Sequence, residues 1–418
     1  FQLRRLPLWM KNTLFSCFGA KNKGKTGVSP FAAACTALAA TVGTGNIAGV
    51  ATALTIGGPG AVFWMLVSAF FGMMTAFAEN VLGMCYRVRE RNGAPCGGPM
   101  YYLKNGVGSG LLAGAFALFC MLASFGVGNM SQCNSIAQGL SGSFGVRPAA
   151  TGLATAALLG AVLLGGLKRL TRVTSLLVPF MALFYMAGAV CVLFCFRENL
   201  PRAVSDILAG AFDRQAGAGG LCGYGMAQAV RVGVSRGVFS NEAGLGSSVM
   251  VHTAADADSP CGQGMWAIFE VFFDTVVMCS VTALVLLVSG AYDPAVYGAA
   301  AGTDALALLP TGAQLTAQAF GTVFGAAGGG FVAVSLALFA FSTLLGWSYY
   351  GARAAAYLLG DRAAGAYRVC FVCAAAMGCV MRIDLVWALS DAMNGLMALP
   401  NLVGVLALRR EVLEEMET

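Results

Sequence analysis

Apolar runs long enough to cross a bilayer recur along the whole chain, separated by short polar or glycine-rich connections. A spanning helix needs about 20 predominantly apolar residues. Ten such segments are visible, at about 29–56, 61–86, 109–139, 149–167, 175–196, 221–252, 264–290, 328–359, 367–381 and 385–408. Within the connection 291–326, the stretch 311–324 predicts a short helix lying along the surface. Basic residues with apolar ones between them (Arg4, Arg5, Lys11, Lys21, Lys23, Lys25) make 1–28 either an amphipathic cytoplasmic segment or a plain topological tether. Residues 197–220 form a mixed-charge external loop, and 409–418 a charged, soluble tail.

Two of the apolar segments are interrupted. The first carries Gly43, Thr44, Gly45 and Asn46 at its centre, in AATVGTGNIAGV (39–50), and the sixth carries VFSNEAGLGSS (238–248). Irregular backbone at membrane depth is tolerated only where it is buried in protein or lines a cavity, and helices broken near the midplane mark substrate and ion sites. The expectation is that 43–46 and 239–246 face each other across one cavity that takes a small zwitterion and a cation. Each broken segment begins a block of five spans, 29–196 and 221–408, and an odd number makes the second block enter the membrane from the opposite side. The predicted fold class is all-α integral membrane, about ten transmembrane helices in a 5+5 inverted repeat, with the first helix of each repeat interrupted.

Composition agrees with a membrane protein: 58% of residues are hydrophobic and 11% charged, where soluble domains carry about 25% charged residues. The net charge of +6 reflects topology. With residue 1 inside, eighteen Lys and Arg fall in inner regions: the N-terminal arm, Arg87, Arg89, Arg91 and Lys104, then Lys168, Arg169 and Arg172 joining the fourth and fifth segments, Arg353, Arg362 and Arg368, and Arg409 and Arg410. Five (Arg147, Arg197, Arg202, Arg214, Arg382) fall outside. That bias fits the positive-inside rule; it places the C-terminus in the cytoplasm of a multi-pass cell-membrane protein and leaves no patch for nucleic acid. One histidine and no paired cysteine motif argue against a metal centre. Most of the fourteen cysteines lie in apolar segments (Cys35, Cys120, Cys191, Cys279, Cys370, Cys373) as small packing residues, with no disulfide framework.

At a helix break, freed N–H groups and the half-helix dipole hold an anion, while freed carbonyls hold a cation. Gly43 and Gly45 permit the required angles, so a carboxylate would sit on the amides around 44–46 without an arginine; close helix packing by small residues is the alternative. In the third segment Ser124, Gly128, Ser131 and Ser135 share a face, and the adjacent Gln132 is a substrate contact or an interhelical hydrogen bond. In the eighth, Thr343, Gly346, Trp347 and Tyr350 share a face with Ser342 beside them. Hydroxyl and carbonyl oxygens suit a hard cation such as sodium; Trp347 either closes the pocket against long side chains or packs in the core.

Charged groups within spans are costly. Glu79, Arg231, Arg236, Glu242, Glu270, Asp274, and Asp391 with Asn394 are read mainly as a structural or gating network, with Glu242 or Asp274 as alternative proton carriers. Glu270 and Asp274 share a face and would repel unless a basic partner intervenes. No serine or cysteine has a nearby histidine base, His252 stands alone, and no GxxxxGK[ST] loop is present, so neither an enzyme nor ATP-driven transport is supported.

The stretches 29–64 (SPFAAACTALAATVGTGNIAGVATALTIGGPGAVFW), GGPMYYL (97–103), RGVFSNEAGLGSS (236–248), FFDTVVMCSVTALV (272–285), FAFSTLLGWSYYG (339–351) and NGLMALPNL (394–402) resemble the alanine or glycine:cation symporter family over nearly the whole chain. The resemblance implies sodium-coupled, in some members proton-coupled, uptake of alanine or glycine through a leucine-transporter-like inverted-repeat fold, with sodium as coupling ion and no other cofactor. Carried over, Gly43, Thr44, Gly45 and Asn46 would hold the carboxylate, with Gln132, Phe239, Ser240, Thr343 and Trp347 lining the rest. Carbonyls of Ala39 and Val42 with Ser342 and Thr343 would make a sodium site, and Asn46 with Ser240 a second. The family carries a further hydrophobic helix ahead of the stretch matching 1–14, so one is expected to precede this chain. The expected partners are a small neutral amino acid, sodium and membrane lipid. The alternatives are a proton-coupled or broader amino-acid transporter, or a channel or sensor on the same bundle.

Overall fold

The structure, a computed structural model, describes residues 2–14, 27–89, 93–212, 222–381 and 384–417, with the side chains of 222–224 and 384–391 outside that description. Lys21, Lys23, Lys25, Arg91, Arg214 and Arg382, and the side chain of Asp391, therefore lie outside the described residues. A short helix α1 (Leu6–Asn12) packs on the bundle through Trp9, which is buried and meets Phe272 edge-on at 5.6 Å.

The first broken segment is built from local signals. Ser29 caps α2 (Pro30–Thr41) by accepting from the Ala32 N–H at 3.2 Å, and Pro30 supplies the fixed φ of a first helical turn. At Val42 (ψ 87°) and Gly43 (φ −132°, ψ −151°) the chain leaves the helix, makes one 3-10 turn at Thr44–Asn46, and resumes as α3 (Ala48–Gly57). Next come α4 (Gly60–Cys85), a hairpin of β1 (Val88–Arg89) and β2 (Pro95–Cys96), and α5 (Pro99–Asn105). Helix α6 (Gly110–Phe125) runs through a π-turn at Gly126–Met130 into α7 (Ser131–Phe144), followed by α8 (Pro148–Leu163) and α9 (Gly166–Cys195).

Helix α10 (Leu200–Phe212) leads to the second broken segment: α11 (Cys222–Asn241), an irregular stretch at 242–248, and the single turn α12 (Val249–His252). Helix α13 (Pro260–Val271) passes through a second π segment, Phe272–Cys279, into α14 (Ser280–Val288). The remainder is α15 (Pro294–Ala300), α16 (Gly312–Phe324), α17 (Ala327–Leu359), α18 (Asp361–Gly378), α19 (Asp384–Ala407) and α20 (Arg409–Glu417).

Among the described residues, five helices are long and apolar enough to cross a membrane: α4, α6 joined to α7, α9, α13 joined to α14, and α17. Both predicted interruptions are present. The helix expected at 311–324 is α16, and it reaches the first break, where Thr316 Oγ1 donates to the Ile47 carbonyl at 3.4 Å.

Several connections differ from the sequence expectation. The external loop at 197–220 contains α10, whose Phe212 packs on Phe63 at 4.9 Å; its apolar face finds a partner in α4 that composition alone does not reveal. Lys168, Arg169 and Arg172 belong to the first turns of α9 and not to a loop. The tail is the docked helix α20, where Tyr86 donates to Glu411 at 2.9 Å and Val412 is buried. Cys35, Cys120 and Cys279 are packed inside, whereas Cys191, Cys370 and Cys373 point outward; no described cysteine is bridged.

Candidate functional site

The first break is held open by one side chain. In an unbroken helix the Gly43 N–H would donate to the Ala39 carbonyl; here it donates to Asn46 Oδ1 at 2.9 Å. Asn46 is anchored in turn, its Nδ2 donating to Asp274 Oδ1 at 2.7 Å and to the Asp274 carbonyl at 3.1 Å. This consumes Asn46 as a backbone clip, and leaves the N–H groups of Thr44 and Gly45 without a hydrogen bond among the described residues. Those two amides belong to the 3-10 turn that precedes α3.

The second break turns on Glu242. It is the only described non-glycine residue at positive φ (56°), a conformation that costs energy for a residue with a Cβ. Its carboxylate is held at both oxygens: Trp347 Nε1 donates to Oε1 at 2.8 Å, and the Ser247 hydroxyl donates to Oε2. The two breaks are in contact, since a Cβ placed on Gly45 would lie 3.4 Å from both Cα and Oγ of Ser240.

Helix α17 brings the third wall. Gly346 lets it press onto α2, for a Cβ there would stand 2.5 Å from the Ala40 Cβ, and the approach places Thr343 beside Gly43. The π-turn in α6–α7 matters at Gly128, where any Cβ would collide with the Trp347 ring. Between these elements lies a small polar-lined cavity. Thr41, Gly43, Thr44 and Gly45 line it from the first break, Phe239 and Glu242 from the second, Thr343 and Trp347 from α17, Val127 and Gln132 from the π-turn region, and Asn394 from α19. Three buried polar atoms facing this space, Thr44 Oγ1, Gln132 Oε1 and Asn394 Oδ1, have no hydrogen-bond partner among the described residues. Unpaired buried polar atoms cost about 1–3 kcal/mol each, so three around one small cavity point to a polar occupant.

The fit to sodium is testable on the oxygen donors present. Ser342 Oγ lies 3.4 Å from the Val42 carbonyl, which the end of α2 leaves without a helical partner, and both the Ser342 and Thr343 hydroxyls bond the Phe339 carbonyl, at 2.7 and 3.1 Å. The Ser342 hydroxyl and the Val42 carbonyl are thus neighbouring oxygen donors of the kind a hard cation takes.

Of the predicted site residues, Gly43, Thr44, Gly45, Gln132, Phe239, Thr343 and Trp347 come together on the cavity wall. Asn46 and Ser240 do not line it. Asn46 spends its oxygen on Gly43 and its nitrogen on Asp274, and Ser240 Oγ lies 3.4 Å from Cys279 Sγ, behind the contact between the breaks. The serine face of the third segment is also structural: Ser124 bonds Tyr367 at 2.7 Å, and Ser131 and Ser135 bond their own helix backbone. Sequence reasoning missed Glu242 and Asn394 as wall residues; their position as charged or polar groups within spans was the available signal.

The remaining membrane charges form separate networks. His252 does not stand alone: Nε2 pairs with Glu270 Oε1 at 2.7 Å, and Nδ1 bonds Gln263 at 2.5 Å, all three fully or nearly buried. Glu270 therefore has His252 as its partner, while the Asp274 carboxyl group accepts from Asn46 and Thr275. Asn401 Nδ2 donates to Glu79 at 2.5 Å and to the Gly244 carbonyl at 2.8 Å, and its Oδ1 accepts from Tyr102, tying α4, α5 and α19 to the second break. Arg236 lies over the Phe239 ring at 5.7 Å, while Arg231 is exposed.

Comparison with known proteins agrees with this architecture. A family model described as the sodium:alanine symporter family matches residues 1–418. The chain is 45% identical over 418 residues to a protein named sodium/alanine symporter AgcS from Methanococcus maripaludis, covering 99% of this chain and 88% of that one. It is 36% identical over 396 residues to a probable sodium/glutamine symporter, GlnT, from Bacillus subtilis, covering 94% and 79%. Among solved structures, MhsT in complex with L-phenylalanine aligns with a TM-score of 0.59 at 16% identity, over 90% of this chain and 89% of that chain. A Na+-coupled sialic acid symporter aligns with a TM-score of 0.56 at 13% identity, over 94% and 84%. The structural likeness shows the fold, an all-α, leucine-transporter-like inverted repeat. The sequence likeness makes the chain a multi-pass, sodium-coupled membrane carrier and not an enzyme. The chain belongs to the sodium:alanine symporter family.

Proposed function

We propose that this carrier couples sodium entry to uptake of a small neutral amino acid, alanine or glycine, by alternating access. The observation that carries the reading is the set of unpaired groups around one cavity: the Thr44 and Gly45 amides at one end, and Thr44 Oγ1, Gln132 Oε1 and Asn394 Oδ1 around it. A zwitterion matches that set. Its carboxylate takes the two amides of the 3-10 turn at the first break, and its ammonium takes the side-chain oxygens, with Phe239 and Trp347 against the side chain. Sodium sits at the Ala39 and Val42 carbonyls with Ser342 and Thr343. The name of the relative at 45% identity supports alanine.

Binding at groups from both breaks gives substrate and sodium a differential hold on the arrangement in which the two breaks meet, which is what a coupled carrier requires. In this reading 29–196 and 221–408 are the two repeats, 197–220 is external, and 1–28 and the C-terminal 409–418 face the cytoplasm of a cell membrane. Uptake of labelled alanine and glycine into proteoliposomes, with sodium and proton gradients imposed separately, tests it. Accumulation against the alanine gradient only with inward sodium is expected; flux that never exceeds equilibration, or that follows the proton gradient alone, overturns it.

A further inference from the structure

We propose that Glu242 is a positioning residue that sets the substrate side-chain limit by fixing the Trp347 ring, an inference that rests on the amino-acid reading above. The ring is located by three neighbours on three different elements. Gly128 in the π-turn leaves the notch that the ring fills, Tyr350 on the same helix meets it at 5.6 Å and 66°, and Glu242 accepts its only N–H at 2.8 Å. The first two contacts are steric, and a ring in a notch still pivots about its χ angles. The hydrogen bond to Glu242 removes that freedom, since a directional bond at 2.8 Å fixes where the Nε1 edge of the ring points. Ser247 holds the second carboxylate oxygen, so Glu242 is itself fixed from the irregular stretch that follows it.

The backbone supports the same role. Glu242 occupies the left-handed region at a place where glycine would be free of strain, while the neighbouring Gly244 (φ 91°) and Gly246 (φ 72°) take positive φ as glycines. A side chain kept at a strained position indicates that the side chain is needed there. Trp347 is 1% exposed and lines the cavity, so, with its ring against the substrate side chain as in the reading above, a small rotation of that ring alters the room left for the side chain.

The test uses four variants of the full chain in proteoliposomes, each first checked for membrane insertion: Glu242→Gln, Glu242→Leu, Trp347→Phe and the double Glu242→Leu/Trp347→Phe. The readout is the ratio of kcat/KM for alanine to that for glutamine, which a loss of folded protein does not change. Gln keeps an oxygen that accepts from Trp347 Nε1 and an amide N–H that can donate to Ser247 Oγ, so Glu242→Gln lowers the ratio less than Glu242→Leu does. Leu removes the clamp at nearly unchanged side-chain size, Phe removes the N–H together with part of the ring, and each lowers the ratio by about tenfold, the scale on which a small apolar pocket discriminates. The double variant is expected to fall no further than either single one. An unchanged ratio in Trp347→Phe, or an equal fall in Glu242→Gln and Glu242→Leu, overturns the proposal. Failure of the amino-acid reading is distinct, because wild-type protein would then transport neither substrate.

Discussion

Gly45 of the first broken helix rests on Ser240 of the second: a Cβ on Gly45 would lie 3.4 Å from the serine Cα and Oγ. That contact is where the two halves of the chain meet at the cavity, and it leaves room for a methyl group and little else. Gly45→Ala is expected to keep measurable sodium-driven alanine uptake, whereas Gly45→Val, which must push the breaks apart, loses it while the protein remains in the membrane. Equal uptake by the two variants would show that the contact is not under load.

The Asn46–Asp274 pair predicts a charge swap. Asn46→Asp sets a second carboxylate against Asp274 at the 2.7 Å contact, in a buried setting where like charges are costly. Uptake should fall by more than about tenfold, the effect of 1.4 kcal/mol. Adding Asp274→Asn restores an amide–carboxylate contact and should recover a large part of the loss. A double variant no better than Asn46→Asp would mean that Asp274 does more than anchor Asn46.

Ser342 and Thr343 differ in what they touch. Ser342 lies behind the cavity against the Val42 carbonyl, while Thr343 is on the cavity wall. Ser342→Ala is therefore expected to raise the half-saturating sodium concentration by about tenfold, as loss of one oxygen ligand would, with a smaller effect on alanine at saturating sodium. Thr343→Ala should raise both. Initial rates over a sodium and alanine concentration grid separate the two outcomes.

One end of the bundle is closed by backbone pairing. The Val28 N–H donates to the Ala254 carbonyl at 3.1 Å, the Asp256 N–H to Val28 at 2.9 Å, and Arg87 Nη1 to Ala255 at 3.0 Å, joining the start of α2 to the end of α12. Both broken helices must part here for that side to open. Hydrogen-exchange mass spectrometry should show the peptides holding Val28 and Asp256 exchanging severalfold faster in Arg87→Ala, since opening free energies govern amide protection. Unchanged protection would place the closing force elsewhere.

The His252–Glu270 pair is buried on both sides. Removing the imidazole with His252→Ala leaves the buried Glu270 carboxyl group without its partner, a loss of about 1–3 kcal/mol. A lower thermal transition in detergent is expected, with part of the loss returned by Glu270→Gln. A transition unchanged from wild type would show that the pair is not stabilising.

How much was legible in the sequence follows from which properties are local. Span length is a matter of consecutive apolar residues, and a glycine-rich polar cluster at membrane depth has few explanations, so the spans, both breaks and most of the cavity wall were readable from 43–45, Gln132, Phe239, Thr343 and Trp347. The apolar face of α10 was not, because its helix is short and its partner lies in another element. Asn46 has a polar side chain suited to a ligand; only the fold shows that it is taken up by a backbone amide and by Asp274, 228 positions away. Glu242 was visible as a costly charge, but its bond to Trp347, 105 positions on, depends on how α17 packs against the second break. Local chemistry therefore determined where the helices run and where they break, and tertiary structure alone decided which polar groups are satisfied by one another and which are left facing the cavity, because hydrogen-bond pairing across helices is set by packing distance and not by spacing along the chain.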